Sequence, residues 1–308
     1  DHFDEDPLRV MRACQFAARF EFTIAPETLE RCLTLTSELT TLPKERLWEE
    51  WKKLLLKSKC PAIGLNALVD TGAIELFPEV KALLNVSQDP EWHPEGQMHP
   101  RGSLWIHNCM VTDASVRVLA DDDVTDEDER LIIIMAAFCH DLGKPAATEF
   151  KDGRWRAHAH EEAGEAPTRS FLERIGASPA IIEAVIPIVL NHLKPFHFGR
   201  DKASPSAIRR LALKVPLIRL CRVARADFLG RTTSDALATE NSKDIKETAW
   251  LLAQADVLQV KDGKPKPFLL GRHLVALGIQ QGKQIGDMIK AAFEEQLEGR
   301  ITDEATAI

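Results

Sequence analysis

Histidine and aspartate stand side by side at positions 140 and 141, and further imidazole and carboxylate groups flank the pair. His107 precedes it in Trp105-Ile106-His107-Asn108, and Asp227 follows it in Arg225-Ala226-Asp227-Phe228. His158, His160 and His192 fall between. The chemistry that suits such a set is metal binding. Mixed nitrogen and oxygen donors favour manganese, iron, nickel, cobalt or zinc over calcium. A metal held this way lowers the pKa of a bound water and stabilises charge on phosphoryl oxygens. Each residue alone also has a simpler role: His107 as a satisfied core histidine, Asp227 as a cap or ion-pair partner, His192 as a helix C-terminal residue held by the dipole. Their joint order and spacing favour a site over coincidence.

The elements that must position these groups read as helices. Leu131–Phe138 is a run of eight apolar residues without a polar break, the mark of a helix buried on every face. Gly143 suits the turn that ends it. A carboxylate desolvated at the end of such a helix has to be hydrogen-bonded, paired or bound to metal. Upstream, Asp4-Glu5-Asp6-Pro7 opens a helix, with Asp6 as N-cap and Pro7 as first helical residue. Leu8–Phe20 then keeps apolar residues at 10, 13, 14 and 17, a helical stripe. Pro26 starts a second helix near Glu27–Leu39. Pro43 starts a third, whose Leu47, Trp51, Leu54 and Leu55 form a core face. Shorter helices are expected at Ala62–Leu68 and Ala73–Leu84, then a loop from Asn85 to Gly102 and a helix around Leu104–Leu119. Lys151-Asp152-Gly153-Arg154 reads as a tight turn. Helices around Glu161–Ile175, Pro179–Leu193 and Asn241–Leu258 follow, with two short ones within Leu269–Gly299. Strand-like alternation is scarce, so the fold class is all-α.

With 308 residues the chain holds about two or three modules. Charged residues make up 28% and hydrophobic ones 44%, the balance of a soluble globular protein. The net charge of −8 excludes wholesale, non-specific nucleic-acid binding but leaves room for a local basic face. Six cysteines are scattered without Cys-x-x-Cys pairs, which fits reduced thiols in the cytosol rather than a disulfide framework or zinc ribbon. No apolar run is long enough for a membrane span. The chain starts without methionine and runs directly into helix, so it reads as part of a longer protein.

The His…His-Asp…Asp order resembles the HD superfamily of metal-dependent phosphohydrolases. That resemblance implies that His107, His140, Asp141 and Asp227 bind a first metal, with His160 and His192 completing a second site. His158, two residues off, is the weaker candidate. Lys144, just past the His-Asp pair, then contacts a phosphate oxygen and joins His140 and Asp141 as the catalytic set; otherwise it is a solvated C-cap lysine. Arg225 and Arg231 bracket Asp227 and can hold the substrate phosphate by bidentate hydrogen bonds, with surface pairing as the alternative.

The N-terminal third narrows the family. DEDPLRVMRACQFAARFEFTIAPETLE resembles the neck region of bacterial CCA-adding tRNA nucleotidyltransferases and their poly(A) polymerase relatives (class II). LPKERLWEEWKKLLL, TGAIELFPEV, WHPEG and FLLGRHLVALGIQQGKQIGDMIKAAFEEQLEG are similar to the same family. By this resemblance Glu5, Asp6 and Arg9 form the Glu-Asp-x-x-Arg motif, whose aspartate and arginine act as template for incoming CTP or ATP. A capping Asp6 paired with Arg9 is the plainer account. Arg46, Glu50 and Lys53 share one helix face and brace the neck. The expected organisation is a neck and body over 1–86, an HD domain over 87–250 and a helical tail over 251–308. Residues 200 to 225 carry eight Lys or Arg against Asp201, among them Arg209, Arg210, Lys214, Arg219 and Arg222. This stretch can follow a tRNA backbone or form a solvated helix face.

Three departures stand out. The palm domain with the polymerase carboxylates belongs before Asp1, so this chain alone is not expected to add nucleotides. Gln97–Ser103 are extra residues beside His107 that alter access to the metal. His273 replaces an aspartate expected in the Gly-Arg-Asp-Leu segment. The function implied is the C-terminal portion of a cytosolic tRNA nucleotidyltransferase that adds or repairs CCA at tRNA 3′ ends. Its HD domain would hydrolyse 2′,3′-cyclic phosphates or phosphomonoesters with a metal-bound hydroxide. The cofactor is a divalent metal (nickel, manganese, magnesium, cobalt or iron), CTP and ATP are substrates of the full-length family, and the partners are the tRNA 3′ end and nucleotides, with no membrane. A free-standing HD nucleotide phosphohydrolase and a non-catalytic RNA-binding half with a structural metal are the alternatives.

Overall fold

A computed structural model of the chain describes residues 5–308; Asp4, expected to help open the first helix, lies outside the described residues. The fold is all-α, interrupted by one hairpin in which Thr148–Lys151 pairs antiparallel with Arg154–Ala157. Asp152 and Gly153 turn this hairpin with φ of 51° and 77°, the left-handed pair that a two-residue hairpin loop demands. The turn is legible in the sequence. Strands of four residues each are too short for alternation to announce them.

The described residues form two compact units. The first runs to Leu193 and resumes over Arg222–Ile245; the second comprises Lys194–Cys221 and Lys246–Ile308. In the first unit, helix Leu8–Phe20 packs on Lys44–Leu56 and Pro61–Asp70. Helix Glu127–Cys139 packs against Lys44–Leu56, Ser103–Asp121 and Pro179–Val189. Asp126 caps its start by accepting the Glu129 N–H at 2.8 Å, and every residue from Leu131 to Cys139 is buried. An aromatic knot fixes it. The Trp51 ring lies 5.2 Å from those of Phe77 and Phe171 and 5.5 Å from Phe138, and all four side chains are fully buried. Truncating any one of them to alanine costs roughly 3–5 kcal/mol. Because Phe138 sits two residues before His140, helix Lys44–Leu56, which carries Trp51, anchors the His140 end of helix Glu127–Cys139.

Several boundaries differ from expectation for local reasons. Helix Leu8–Phe20 starts after Pro7, and Asp6 Oδ1 accepts the Leu8 N–H at 3.1 Å. The second helix ends at Leu35 and continues as a 3-10 turn, Thr36–Thr41, where the Thr40 and Thr41 hydroxyls donate to carbonyls of their own turn. Ala73–Leu84 is broken at Phe77, which the following Pro78 forces out of helical geometry. Gly164 divides His160–Ala163 from Glu165–Arg174.

In the second unit, Lys194–Asp201 and Pro205–Ala212 pack on Lys246–Val257, and Pro205–Ala212 also meets Lys283–Leu297. Part of the basic stretch is paired within its own unit. Arg210 pairs with Glu294 and Glu298 at 2.9 and 2.7 Å, Arg200 with Asp201 at 2.7 Å, and Arg209 donates to the Leu297 carbonyl at 3.2 Å. His273 Nδ1 accepts the Leu270 N–H at 3.4 Å, at the start of helix Gly271–Ala276. Among the described residues no helix is long and apolar enough to cross a membrane.

Candidate metal centre

Six side chains from separate elements converge in the first unit. His107 comes from the start of Ser103–Asp121. His140 and Asp141 follow Glu127–Cys139, His160 opens His160–Ala163, His192 follows Pro179–Val189, and Asp227 lies within Leu217–Leu229. All six are buried.

The backbone fixes the direction of the rings. Nδ1 of His140, His160 and His192 lies 2.7, 2.8 and 2.7 Å from the carbonyls of Ala137, Ala157 and Val189. A carbonyl can only accept, so each Nδ1 carries a proton, and in the neutral ring each Nε2 presents a lone pair, the orientation of a metal-ligating histidine. His107 is held by a carboxylate instead: Glu95 Oε1 lies 2.8 Å from its Nδ1, an ion-pair contact off the hydrogen-bond line.

Asp141 stands between two groups of donors. On the Oδ2 side, His140 Nε2 lies at 3.1 Å and His107 Nε2 at 3.8 Å, and His107 Nε2 is also 3.1 Å from Asp227 Oδ1. On the Oδ1 side, Nε2 of His160 and His192 lie at 3.4 and 4.0 Å, and those two nitrogens are 3.3 Å apart. Lone pairs facing at that distance repel. His140 Nε2 and Asp141 Oδ1 are buried without a hydrogen bond, an arrangement costly by itself, and Asp141 Oδ2 is left to the ion pairs around it, Lys144 Nζ at 2.8 Å among them. A divalent cation on each side of Asp141 satisfies every one of these atoms, so the residues fit the metal that the sequence motif implies.

The electrostatics agree. Burial would raise the Asp141 carboxyl, but the neighbouring His140 and Lys144 hold it well below the usual carboxylate range. Asp227 is treated alike: burial opposes and Arg231 and His107 prevail. Burial pushes His192 down to about 3, so it is neutral at pH 7, the form that ligates metal.

Lys144 and Arg231 face the same cavity of about 250 Å³. Lys144 Nζ donates to Gln88 Oε1 at 2.7 Å and lies 2.8 Å from Asp141 Oδ2. Arg231 Nη2 donates to Asp227 Oδ2 at 2.9 Å, and its buried Nε has no hydrogen-bond partner. Arg225, expected beside them, points elsewhere. It is 2% exposed and grips Asp122 with two bonds of 3.0 and 2.7 Å. Position 225 lies on the opposite side of the helix from Asp227, whereas Arg231, two residues past the helix end at Leu229, folds back onto Asp227. Arg222 shares Asp122 at 2.9 Å and reaches Glu129 at 2.9 Å.

Gly143 also serves differently from expectation. Its φ is −83°, so no left-handed turn requires glycine. A Cβ there would lie 2.0 Å from the His160 carbonyl oxygen and 2.5 Å from Gly164 N. Glycine lets the segment bearing His160 close onto the His-Asp pair.

Sequence reading overlooks Gln88, His93 and Glu95 as site residues. Glu95 is 3% exposed, with Oε1 2.9 Å from His93 Nδ1 and Oε2 accepting the Thr232 N–H at 3.2 Å. The available signal is the WHPEG segment itself, a histidine followed by a carboxylate between proline and glycine, shortly before His107. His158 is exposed. Gln97 donates to the Gln88 carbonyl and to Ser103 Oγ at 3.3 and 3.2 Å, so the extra residues fold back on their own loop, and none of them lines the cavity.

At the neck, Asp6 Oδ2 pairs with Arg46 Nη2 at 2.6 Å and Arg9 with Glu5 at 3.7 Å; the alternative Asp6–Arg9 pair is not formed. Lys53 holds Glu50 at 2.9 Å.

The chain matches the HD domain family over residues 104–259 and the family described as the probable RNA and SrmB-binding site of polymerase A over residues 21–84. It is 40% identical over 267 residues to the multifunctional CCA protein of Aliivibrio salmonicida, covering 82% of this chain and 60% of that protein. The multifunctional CCA protein of Mannheimia succiniciproducens is 32% identical over 278 residues, 86% of this chain and 63% of the relative. The chain thus spans a little under two thirds of these relatives. A solved CCA-adding enzyme in complex with CTP shares the fold, with a TM-score of 0.51 at 17% identity over 99% of this chain and 59% of that one. Carrying the polymerase-type RNA-binding segment and, behind it, an HD domain that contains His107, His140, Asp141 and Asp227, the chain belongs to the CCA-adding tRNA nucleotidyltransferase family.

Proposed function

We propose that the buried cluster is a metal-dependent phosphohydrolase acting on 2′,3′-cyclic phosphates or phosphomonoesters at RNA 3′ ends, in a cytosolic protein of tRNA 3′-end CCA addition and repair. One observation carries this reading: Asp141 and His140 present buried ligand atoms without hydrogen bonds, to which tethered imidazoles turn their Nε2 atoms. His107, His140, Asp141 and Asp227 would hold one divalent metal, and Asp141, His160 and His192 a second. Such a metal, when bound, lowers the pKa of a coordinated water and neutralises phosphoryl charge.

The remaining work falls to this chain's own side chains. Lys144 has three N–H donors, and one stays available for a non-bridging phosphate oxygen beside its contacts to Gln88 and Asp141. Arg231 offers the unpaired Nε and its outer nitrogen. Opening a cyclic phosphate adds one water across a P–O bond, and the proton from that water ends on the released ribose hydroxyl. In the neck, Asp6 and Arg9 would select CTP or ATP for the polymerase of a full-length protein, with the tRNA 3′ end as partner.

The test is hydrolysis of 2′,3′-cyclic AMP by the purified chain with nickel, manganese or magnesium in turn. Metal-dependent turnover that disappears in His140→Ala and Asp141→Ala is the expected result. A folded, metal-loaded protein without turnover on the cyclic ester or on 3′-AMP would overturn the reading.

A further inference from the structure

Two tryptophans stand at the mouth of the cavity that holds Asp141, Lys144 and Arg231. Trp92, in the loop before His93, is 55% exposed, and Trp155, in strand Arg154–Ala157, is 36% exposed; both line the cavity. Leaving large apolar rings in water forgoes the stabilisation that burial would bring, and neither ring belongs to the buried core. Their placement is built. Phe150 pairs with Trp155 across the hairpin, with rings 5.1 Å apart at 61°. Arg154 ties the hairpin to the loop, bonding Asp89 at 2.6 Å and Glu91 at 2.5 Å. Trp92 follows Glu91 directly and Trp155 follows Arg154, so one ion-pair cluster joins the two segments that bear the indoles. Arg156 lines the same cavity.

Flat aromatic faces beside a cationic, metal-ligating pocket match a molecule with an anionic end and a π-surface. We infer that Trp92 and Trp155 form a base-stacking subsite, so that the cluster acts on nucleotides or RNA termini whose base rests at the rim while the phosphate reaches Lys144 and Arg231. The inference rests on the phosphohydrolase reading and names the element that selects the substrate. Stacking accepts any base, because each has a π-face, so discrimination is against esters that lack a base rather than among the four nucleotides.

The experiment compares 2′,3′-cyclic AMP with glycerol 1,2-cyclic phosphate, which has the same five-membered ring and no base. In Trp92→Ala and Trp155→Ala, kcat/KM for the nucleotide should fall about tenfold to a hundredfold, mainly through KM. The glycerol ester should change less than about twofold, and Trp→Phe at either position should restore most of the loss. Equal losses on both esters, or none on the nucleotide, overturn the subsite. If neither ester turns over, the hydrolase reading fails by itself, and equilibrium dialysis of 3′-AMP against glycerol 2-phosphate then decides. Selective loss of 3′-AMP binding in the alanine variants supports stacking, and equal binding to wild type and variants refutes it.

Discussion

Glu95 Oε1 lies 2.8 Å from His107 Nδ1 and 2.9 Å from His93 Nδ1, so one buried carboxylate steers two rings at the wall of the metal cluster. The rings meet edge to face, 4.5 Å between centroids. Burial would raise the Glu95 carboxyl, but His107 and His93 hold it below its ordinary value. Carboxylates behind a ligating histidine fix its orientation and raise its basicity, and their loss weakens metal binding about tenfold to a hundredfold. Glu95→Ala should lower manganese affinity by that factor in a calorimetric titration. Glu95→Gln, which keeps an acceptor oxygen without the charge, should lose less. Unchanged affinity in Glu95→Ala would mean that His107 needs no such support.

Gly143 gives a second, steric prediction. Gly143→Ala places a methyl group 2.0 Å from the His160 carbonyl, and backbone cannot yield as a flexible side-chain end would. Overpacking of this kind costs about 1–3 kcal/mol, and the upper end is expected here. Displacement of His160 should also remove one of two bound metals. Elemental analysis of the purified variant, together with a urea titration, checks both effects; full metal content with wild-type stability would contradict the close-approach account.

How much of this was legible in sequence depends on the kind of feature. The unbroken apolar run before His140 and the Leu47, Trp51, Leu54 and Leu55 face point to packing that follows from composition and period alone, and both are buried as expected. The six convergent side chains stand out by their order along the chain, and the resemblance to the HD superfamily is what assigns them as ligands. What escaped depends on contacts between distant segments. Nothing in the sequence indicates that Arg225 meets Asp122, because that pairing is set by how two helices lie together. Glu95 escapes for a similar reason: the WHPEG segment flags a histidine and a carboxylate, but their role behind His107 shows only once the loop is folded. Gly143 was read as a turn residue because glycine usually serves backbone conformation, and only the fold shows the neighbouring carbonyl.

Arg225 and Arg231 should separate cleanly in experiment. Removing one partner from a buried ion pair costs about 3–5 kcal/mol, because the other charge is left without compensation. Arg225→Met strands Asp122 with only Arg222, so a loss near the lower end is expected, read as a reduced urea midpoint. The KM for a cyclic phosphate should stay at the wild-type value. Arg231→Met should instead raise KM, since its guanidinium lines the cavity. A raised KM in Arg225→Met without loss of stability would return that residue to the substrate.

Asp113 supplies a dependence on pH outside the metal cluster. Its Oδ1 accepts the Ala62 N–H at 2.8 Å, at the start of helix Pro61–Asp70, where Cys60 provides no side-chain cap. Burial pushes its carboxyl up to about 6, with the Ala62 bond opposing. An acid whose folded pKa exceeds its unfolded one binds its proton more tightly when folded. Its contribution is therefore fully present below about pH 4 and is lost as pH rises through about 6. A carboxyl at about 6 in place of the ordinary 3.8 corresponds to roughly 3 kcal/mol. Asp113→Asn keeps the acceptor oxygen for Ala62 and removes the titration. The variant should match wild type near pH 4 and exceed it by about 2–3 kcal/mol at pH 7.5, measured by urea unfolding at both values. A constant difference between variant and wild type across that range would show that Asp113 titrates alike in the folded and unfolded chains.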